Sequence, residues 1–353
     1  MSVYVIAEAG VNHNGDEQLA HRLVDAAADA GADAVKFQTF VPEQLVTRHA
    51  HRAQYQQRNQ PGDDTQLQML RKLALSDDAH TELLGHCEER QIDFLSSPFD
   101  AQSASFLIDT LQLPLIKLGS GELTNGPLLW QLAKSGRRLI LSTGMATMDE
   151  IREALGLICH AQQTSSEQPQ TDDFVACFDS ELLKGKITLL HCTTEYPCPL
   201  DSVNLRAMDA LRETFGLPVG YSDHTQGITV SLAAVARGAK VIEKHMTLDR
   251  SLPGPDHAAS VEPGEFAQLV AGTREIEQAL GSTRKQPAAV EQKNAAIARK
   301  SLCAVSDIEQ GEVFSESNIA SKRPGSGISP MRYWSFLGKQ STRAYSSDDL
   351  LDE

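Results

Sequence analysis

VIEKHMT, residues 241–247, is the stretch on which the fold turns. Val241 and Ile242 begin like a buried strand, and the run then changes abruptly to Glu243, Lys244 and His245. Side chains two apart in a strand share a face, so Glu243 and His245 point one way and Lys244 the other. An apolar strand that ends in ionisable groups fits a barrel strand whose C-terminal end opens on an active site.

Seven further runs of the same kind precede it. They are VYVIAEA (3–9), AVKFQT (34–39), DFLSSP (93–98), LIKLGS (115–120), LILSTG (139–144), ITLLHCT (187–193) and PVGYSDH (218–224). The stretches between them are long enough for helices. DEQLAHRLVDAAADAGA, for example, combines helical spacing of Ala and Leu with a glycine stop at Gly31. Strand and helix alternating eight times predicts an α/β chain built as a (β/α)8 TIM barrel.

Two connections are longer than a plain loop. Residues 40–72, with the polar QYQQRNQPGDDTQ, read as a lid, and residues 160–186, with AQQTSSEQPQTDD, as a surface excursion. After the helical EFAQLVAGTREIEQAL comes GSTRKQPAAVEQKN, which has no apolar periodicity. The expected domains are therefore a barrel over 1–281, a linker over 282–295 and a small C-terminal domain over 296–353. So short a domain has little core of its own and is expected to lean on a partner surface.

The formal net charge of -15 speaks against nucleic acid or an anionic membrane as the main partner, because both reward dense Lys and Arg. No apolar run is long enough to span a bilayer, and MSVYVIAEAG lacks the basic start of a signal peptide, so a cytoplasmic protein is expected. The six cysteines are scattered without a CxxC pair, which indicates neither a zinc ribbon nor a disulfide framework.

The face-sharing test, applied to every strand, brings a consistent set to one end of the barrel. It selects Glu8, Lys36 with Gln38, Ser97, Lys117, Ser142, Ser222 with His224, and Glu243 with His245. Any one of these could be a satisfied polar strand end, and the lysines could simply bridge to Glu8 and Glu122. Together they are harder to dismiss, since each unpaired buried polar group loses about 1–3 kcal/mol. His224 and His245, on adjacent strands, can share one divalent ion or form a hydrogen-bonded core pair; Glu8, Asp223, Glu243 and Asp256 are acidic candidates beside them. The lysines with Ser97, Ser120, Ser142 and Ser222 form a donor-rich ring suited to a phosphate and a carboxylate.

IAEAGVNHNGD, AVKFQTF, FLSSPFD, IKLGSGEL, LSTGMAT, HCTTEYPCP, GYSDHT, EKHMTLDR and PGPDH, in that order, resemble the sialic acid synthase family. KRPGSGISP, near the C-terminus, is similar to that family's antifreeze-like (SAF, β-clip) domain. The likeness runs from about residue 3 to residue 350. It implies condensation of phosphoenolpyruvate with the open-chain aldehyde of an N-acetylated mannose-type sugar, giving a nine-carbon 2-keto acid and phosphate. It also implies manganese or magnesium held by His224 and His245. Carried over by motif, Lys36, Ser97, Lys117, Ser120, Ser142, Thr194, Tyr196 and Ser222 hold phosphoenolpyruvate, and Glu8 is the acid/base residue. Gln38, Glu122, Glu243 and Asp256 hold the sugar or organise the site. Arg323 reaches the N-acetyl end from the small domain of a second subunit in a swapped homodimer. One position departs from the pattern: Thr194 stands where the family's HCTNxYP motif has Asn, and its hydroxyl keeps a donor there.

The expected acceptor is N-acetylmannosamine, which makes the chain an N-acetylneuraminate synthase. The alternatives are 2,4-diacetamido-2,4,6-trideoxymannose, as in a legionaminate synthase, and a 6-phosphorylated sugar. The last would call on the basic run Arg48, His49, His51, Arg52 and Arg58, which otherwise reads as a solvated helix face. A sugar-binding or ice-binding protein without catalysis is the reading from another class, and it leaves the strand-end histidines, lysines and serines unexplained.

Overall fold

The computed structural model describes residues 2–59 and 64–353. Eight parallel strands form the first unit: β1 Tyr4–Gly10, β2 Ala34–Thr39, β3 Asp93–Pro98, β4 Leu115–Leu118, β5 Arg138–Ser142, β6 Ile187–His191, β7 Val219–Asp223 and β8 Val241–His245. They are ordered β3-β2-β1-β8-β7-β6-β5-β4, and β3 and β4 adjoin across the remaining seam, so the sheet is a nearly closed TIM-type barrel with helices outside. All eight predicted strands are present, each within a few residues of its expected position.

The alternation that defines the faces is visible in the packing. Val5, Ala7, Val35, Phe37, Ile116, Leu139, Leu141, Leu189 and Tyr221 face outward into the main core under the helices. Ile6, Ala34, Leu95, Ile140, Leu190 and Val241 form a separate apolar layer inside the barrel. One turn of alternation further along each strand, the inward positions become polar. The interior is tight: a Cβ on Gly220 would lie 2.3 Å from the Val241 carbonyl oxygen and 2.7 Å from Leu190 Cδ2, so only glycine fits there.

The long connection after β2 folds into three helices, Pro42–Leu45, Gln54–Asn59 and Gln66–Leu73. Residues 60–63 of the stretch expected to be a lid lie outside the described residues. The chain divides into two compact units at Gly281/Ser282. In the second unit an antiparallel pair, β9 Ser301–Ala304 and β10 Ile319–Lys322, packs over a small core of Leu302, Ala304, Ile308, Phe314, Ile319, Phe336, Tyr345 and Leu351. The stretch read as a linker carries a helix, Ala289–Ala298, whose N-terminal Glu291 accepts from the Ala288 amide at 2.7 Å. Its residues are not buried, which is why apolar periodicity gave no sign of it.

Candidate active site

A cavity of about 330 Å³ opens at the C-terminal ends of the barrel strands. Its wall includes Glu8, Lys36, Gln38, Ser97, Lys117, Ser120, Glu122, Ser142, Thr194, Tyr196, Ser222, His224, Glu243, His245 and Asp256. Every predicted site residue of the first unit is in this wall; Arg323 belongs to the second unit, where it is exposed.

Register places the charges against one another. Glu8 on β1 pairs across to Lys36 on β2 on one side and His245 on β8 on the other. Lys36 Nζ makes a close ion pair with Glu8 and lies 3.2 Å from Ser97 Oγ and 3.8 Å from Glu243 Oε2. Lys117 Nζ reaches Glu243 Oε1 at 3.0 Å, and Ser222 Oγ donates to the same oxygen at 2.9 Å. Two cations and two carboxylates thus share one buried cluster, all at most 5% exposed in their side chains. Lys117 pairs with Glu243, whereas Glu122 accepts from Asn125 Nδ2 at 2.7 Å, so the lysine-to-Glu122 bridge anticipated as a bland alternative does not form.

The two carboxylates are tuned in opposite directions. Burial pushes the Glu8 carboxyl up, against the pull of Lys36 and with the push of Glu243. Burial acts on Glu243 too, but Lys117 and Lys36 outweigh it and hold that carboxyl below its ordinary range. Two groups of one chemistry split in this way suit a proton carrier beside a fixed charge. Asp256, buried without a compensating charge, is pushed up to about 6.

The phosphate-like side of the wall is built from strand-end hydroxyls. Ser120 Oγ lies 3.1 Å from Cys192 Sγ and accepts from the Gly144 amide at 2.9 Å. Ser142 Oγ and Thr194 Oγ1 are buried and have no hydrogen-bond partner among the described residues. Buried donors without partners are rare in folded proteins and mark where a ligand atom belongs. Cys192 and Gly144 were not among the predicted residues, although Cys192 follows Leu190 at the two-residue spacing of β6 and alternation alone could have found it.

The histidine pair fits a divalent ion. His224 Nδ1 sits 2.6 Å from the Thr193 carbonyl oxygen, so Nδ1 carries the proton and Nε2 keeps its lone pair. His245 Nδ1 is buried and has no hydrogen-bond partner among the described residues. Burial lowers His224 to about 4 and His245 well below its ordinary value, which keeps both rings in the neutral form that ligates. The rings are 5.6 Å apart, and Tyr196 packs on both, 4.1 Å from His224 and 5.5 Å from His245. Among the described residues no third His, Cys, Asp or Glu joins them as a closed three-ligand group, so further coordination positions would fall to water or substrate.

Of the basic run considered for a sugar 6-phosphate, Arg58 comes near the cavity wall. Arg48, His49, His51 and Arg52 line a different hollow with Asp64, while Arg58 pairs with Glu195 at 3.1 Å and donates to the Tyr196 carbonyl.

Known proteins resemble this chain over most of its length. The N,N'-diacetyllegionaminic acid synthase of Campylobacter jejuni is 49% identical over 349 residues, covering 99% of this chain and 98% of that protein. The protein of the same name from Legionella pneumophila is 43% identical, covering 99% of this chain and 94% of the relative. The crystal structure of a sialic acid synthetase from Leptospira borgpetersenii superposes with a TM-score of 0.68 at 32% identity, covering 83% of this chain and 90% of that one. Residues 23–285 match the NeuB family, and with these relatives the match shows that this chain belongs to the NeuB family.

Proposed function

We propose that this protein is an N,N'-diacetyllegionaminate synthase, joining phosphoenolpyruvate to open-chain 2,4-diacetamido-2,4,6-trideoxymannose with release of phosphate. The observation that carries the choice of acceptor is end-to-end identity of 49% and 43% to two proteins of that name, against 32% to a sialic acid synthetase. N-acetylmannosamine, the acceptor expected from the sequence, therefore gives way to the diacetamido sugar. The cavity wall supports an acceptor without phosphate: its only lysines among the described residues, Lys36 and Lys117, are the pair read as holding phosphoenolpyruvate, and no arginine lines it.

In this reading C3 of phosphoenolpyruvate attacks the aldehyde carbon and forms the new carbon–carbon bond, while the aldehyde oxygen takes a proton and becomes a hydroxyl. Water then adds at C2, and the tetrahedral intermediate breaks its C2–O bond, leaving phosphate and the 2-keto acid. Lys36 and Lys117, with Ser97, Ser120, Ser142, Thr194, Tyr196 and Ser222, hold the carboxylate and phosphate. Glu8, with its raised pKa, accepts the proton of the attacking water or supplies one to the forming hydroxyl. Gln38, Glu122, Glu243 and Asp256 orient the sugar or the groups that hold it. Manganese or magnesium on His224 and His245 would supply Lewis-acid polarisation of a carbonyl oxygen. In a swapped homodimer, Arg323 of the small domain would close on the acceptor's N-acetyl group; light scattering showing a monomer at assay concentration would remove that part of the reading.

Phosphate release with phosphoenolpyruvate, manganese and each of the two sugars tests the acceptor. The diacetamido sugar should show the higher kcat/KM, with a product mass matching a diacetylated nonulosonic acid. A higher value for N-acetylmannosamine would overturn the assignment.

A further inference from the structure

The cavity has two kinds of wall. The strand ends supply ions and hydroxyls, whereas the connection after β2 supplies hydrocarbon. Its helix Gln66–Leu73 brings Met69, Leu70 and Leu73 to the cavity beside Val11 and Phe99. These residues belong to a small apolar cluster separate from the main core.

The helix that carries them is well anchored. Thr65 and Gln68 form a reciprocal capping box at its start. Arg71 pairs with Glu43 at 2.7 Å and Lys72 with Asp64 at 2.6 Å, both exposed, so the charged face is turned to solvent and the apolar face to the cavity. Gln66, from the same helix, also lines the cavity and offers an amide able to pair with an amide.

We propose that this apolar shelf, centred on Met69, Leu70 and Leu73, determines acceptor specificity by receiving the C6 methyl and the C4 acetamido methyl of the sugar. The inference rests on the acceptor reading given under Proposed function and adds to it the residues that make the choice. N-acetylmannosamine carries hydroxyls at both of those carbons. Set against Leu70 and Leu73 they would lose water without gaining partners, whereas the two methyls would cover hydrocarbon. One methyl-sized difference in an apolar pocket discriminates by about 10- to 200-fold.

The test measures kcat/KM for both sugars with the full-length enzyme and with Leu70→Asn and Leu73→Asn. The ratio of diacetamido sugar to N-acetylmannosamine should fall at least about tenfold in the variants, while the KM for phosphoenolpyruvate stays within about twofold of wild type. Equal losses for both sugars, with the ratio unmoved, would overturn the shelf. The wild-type ratio reports separately on the acceptor reading, so the two can fail independently. Should the variants fail to fold, the wild-type enzyme still decides: 6-deoxy-N-acetylmannosamine should be several-fold better than N-acetylmannosamine itself, and an equal or poorer result would sink the proposal.

Discussion

The two faces of β7 and β8 treat buried charge in opposite ways. Toward the cavity, Glu243 is shared between Lys117 and Lys36, and His245 keeps a ring nitrogen without a partner among the described residues. On the outer face one residue away, Asp223 and Lys244 are wholly buried and fully satisfied. Lys244 Nζ lies 3.1 Å from Asp223 Oδ2 and donates to the Thr225 carbonyl. Asp223 Oδ1 accepts from the Thr225 amide and hydroxyl, each at 2.8 Å, and its Oδ2 from Ser231 Oγ at 2.5 Å. A closed network holds two strand ends together, and an open one waits for a ligand. What separates site from scaffold here is whether the buried polar atoms are used up, since charge is present on both faces.

That contrast can be broken at its widest point. Glu8→Gln should lower kcat by about 10²- to 10⁴-fold, the scale of a lost general acid or base, with a smaller loss of thermal midpoint than Lys244→Met, because Lys36 keeps Glu243 3.8 Å away as a counter-charge. Steady-state kinetics and a melt on the same sample read both halves. Lys244→Met should do the reverse. Stripping one partner from a buried pair costs about 3–5 kcal/mol, visible in urea denaturation, while the surviving folded enzyme keeps most of its turnover. A stable but inactive Lys244→Met protein would put the outer pair in the active site and erase the distinction.

How far the sequence reveals all this follows the same division. The eight strands were legible because period-two alternation is a local signal, and the same signal selected Glu8, Lys36, Lys117, Glu243 and His245 for the cavity. It also turned Lys244 away from the cavity. Its partner, however, is Asp223, far from it in sequence but opposite it in the β7–β8 register. Alternation gives a face, and only register gives a neighbour. The apolar shelf was hidden for a different reason: polar glutamines dominate residues 54–66, so the short amphipathic helix after them read as part of a lid. Cys192 was within reach of the same alternation, two residues after Leu190, and only the structure shows its use, with Sγ 3.1 Å from Ser120 Oγ.

Buried groups outside the cavity sharpen the comparison on a smaller scale. His13 is packed 6.0 Å from the Phe37 ring, its Nδ1 accepts from the Gly15 amide, and burial lowers it to about 4. An unfolded histidine titrates near 6.5, so between those values the unfolded chain holds a proton that the native one refuses. The stability His13 contributes is therefore present above pH 6.5 and lost as pH falls through 4. At pH 5, 1.5 units below the unfolded value, about 2 kcal/mol should have gone. Urea midpoints of wild type and His13→Asn at pH 7 and pH 5 should differ less at the lower pH. An advantage that grows on acidification would mean that His13 is charged in the native state.

Gly144 offers the finest test of the cavity side. A Cβ there would stand 2.6 Å from Thr194 Oγ1, 2.8 Å from Ser120 Oγ and 2.9 Å from Cys192 Sγ, all inside ordinary contact distance, so all three side chains must shift. Because all three are side-chain atoms at strand ends, the barrel can absorb the methyl at about 1 kcal/mol, the low end of overpacking costs. The displaced hydroxyls are the ones read as phosphoenolpyruvate donors, so the methyl should act on binding before it acts on folding. Gly144→Ala is expected to raise the KM for phosphoenolpyruvate by about three- to tenfold, since a few tenths of a kcal/mol lost at each of several hydrogen bonds adds to that range. The KM for the sugar and the melting temperature should move little. If stability falls while the phosphoenolpyruvate KM holds, then Ser120 and Thr194 belong with Asp223 and Lys244 as scaffold, and the open face of the barrel is smaller than its unpaired atoms suggest.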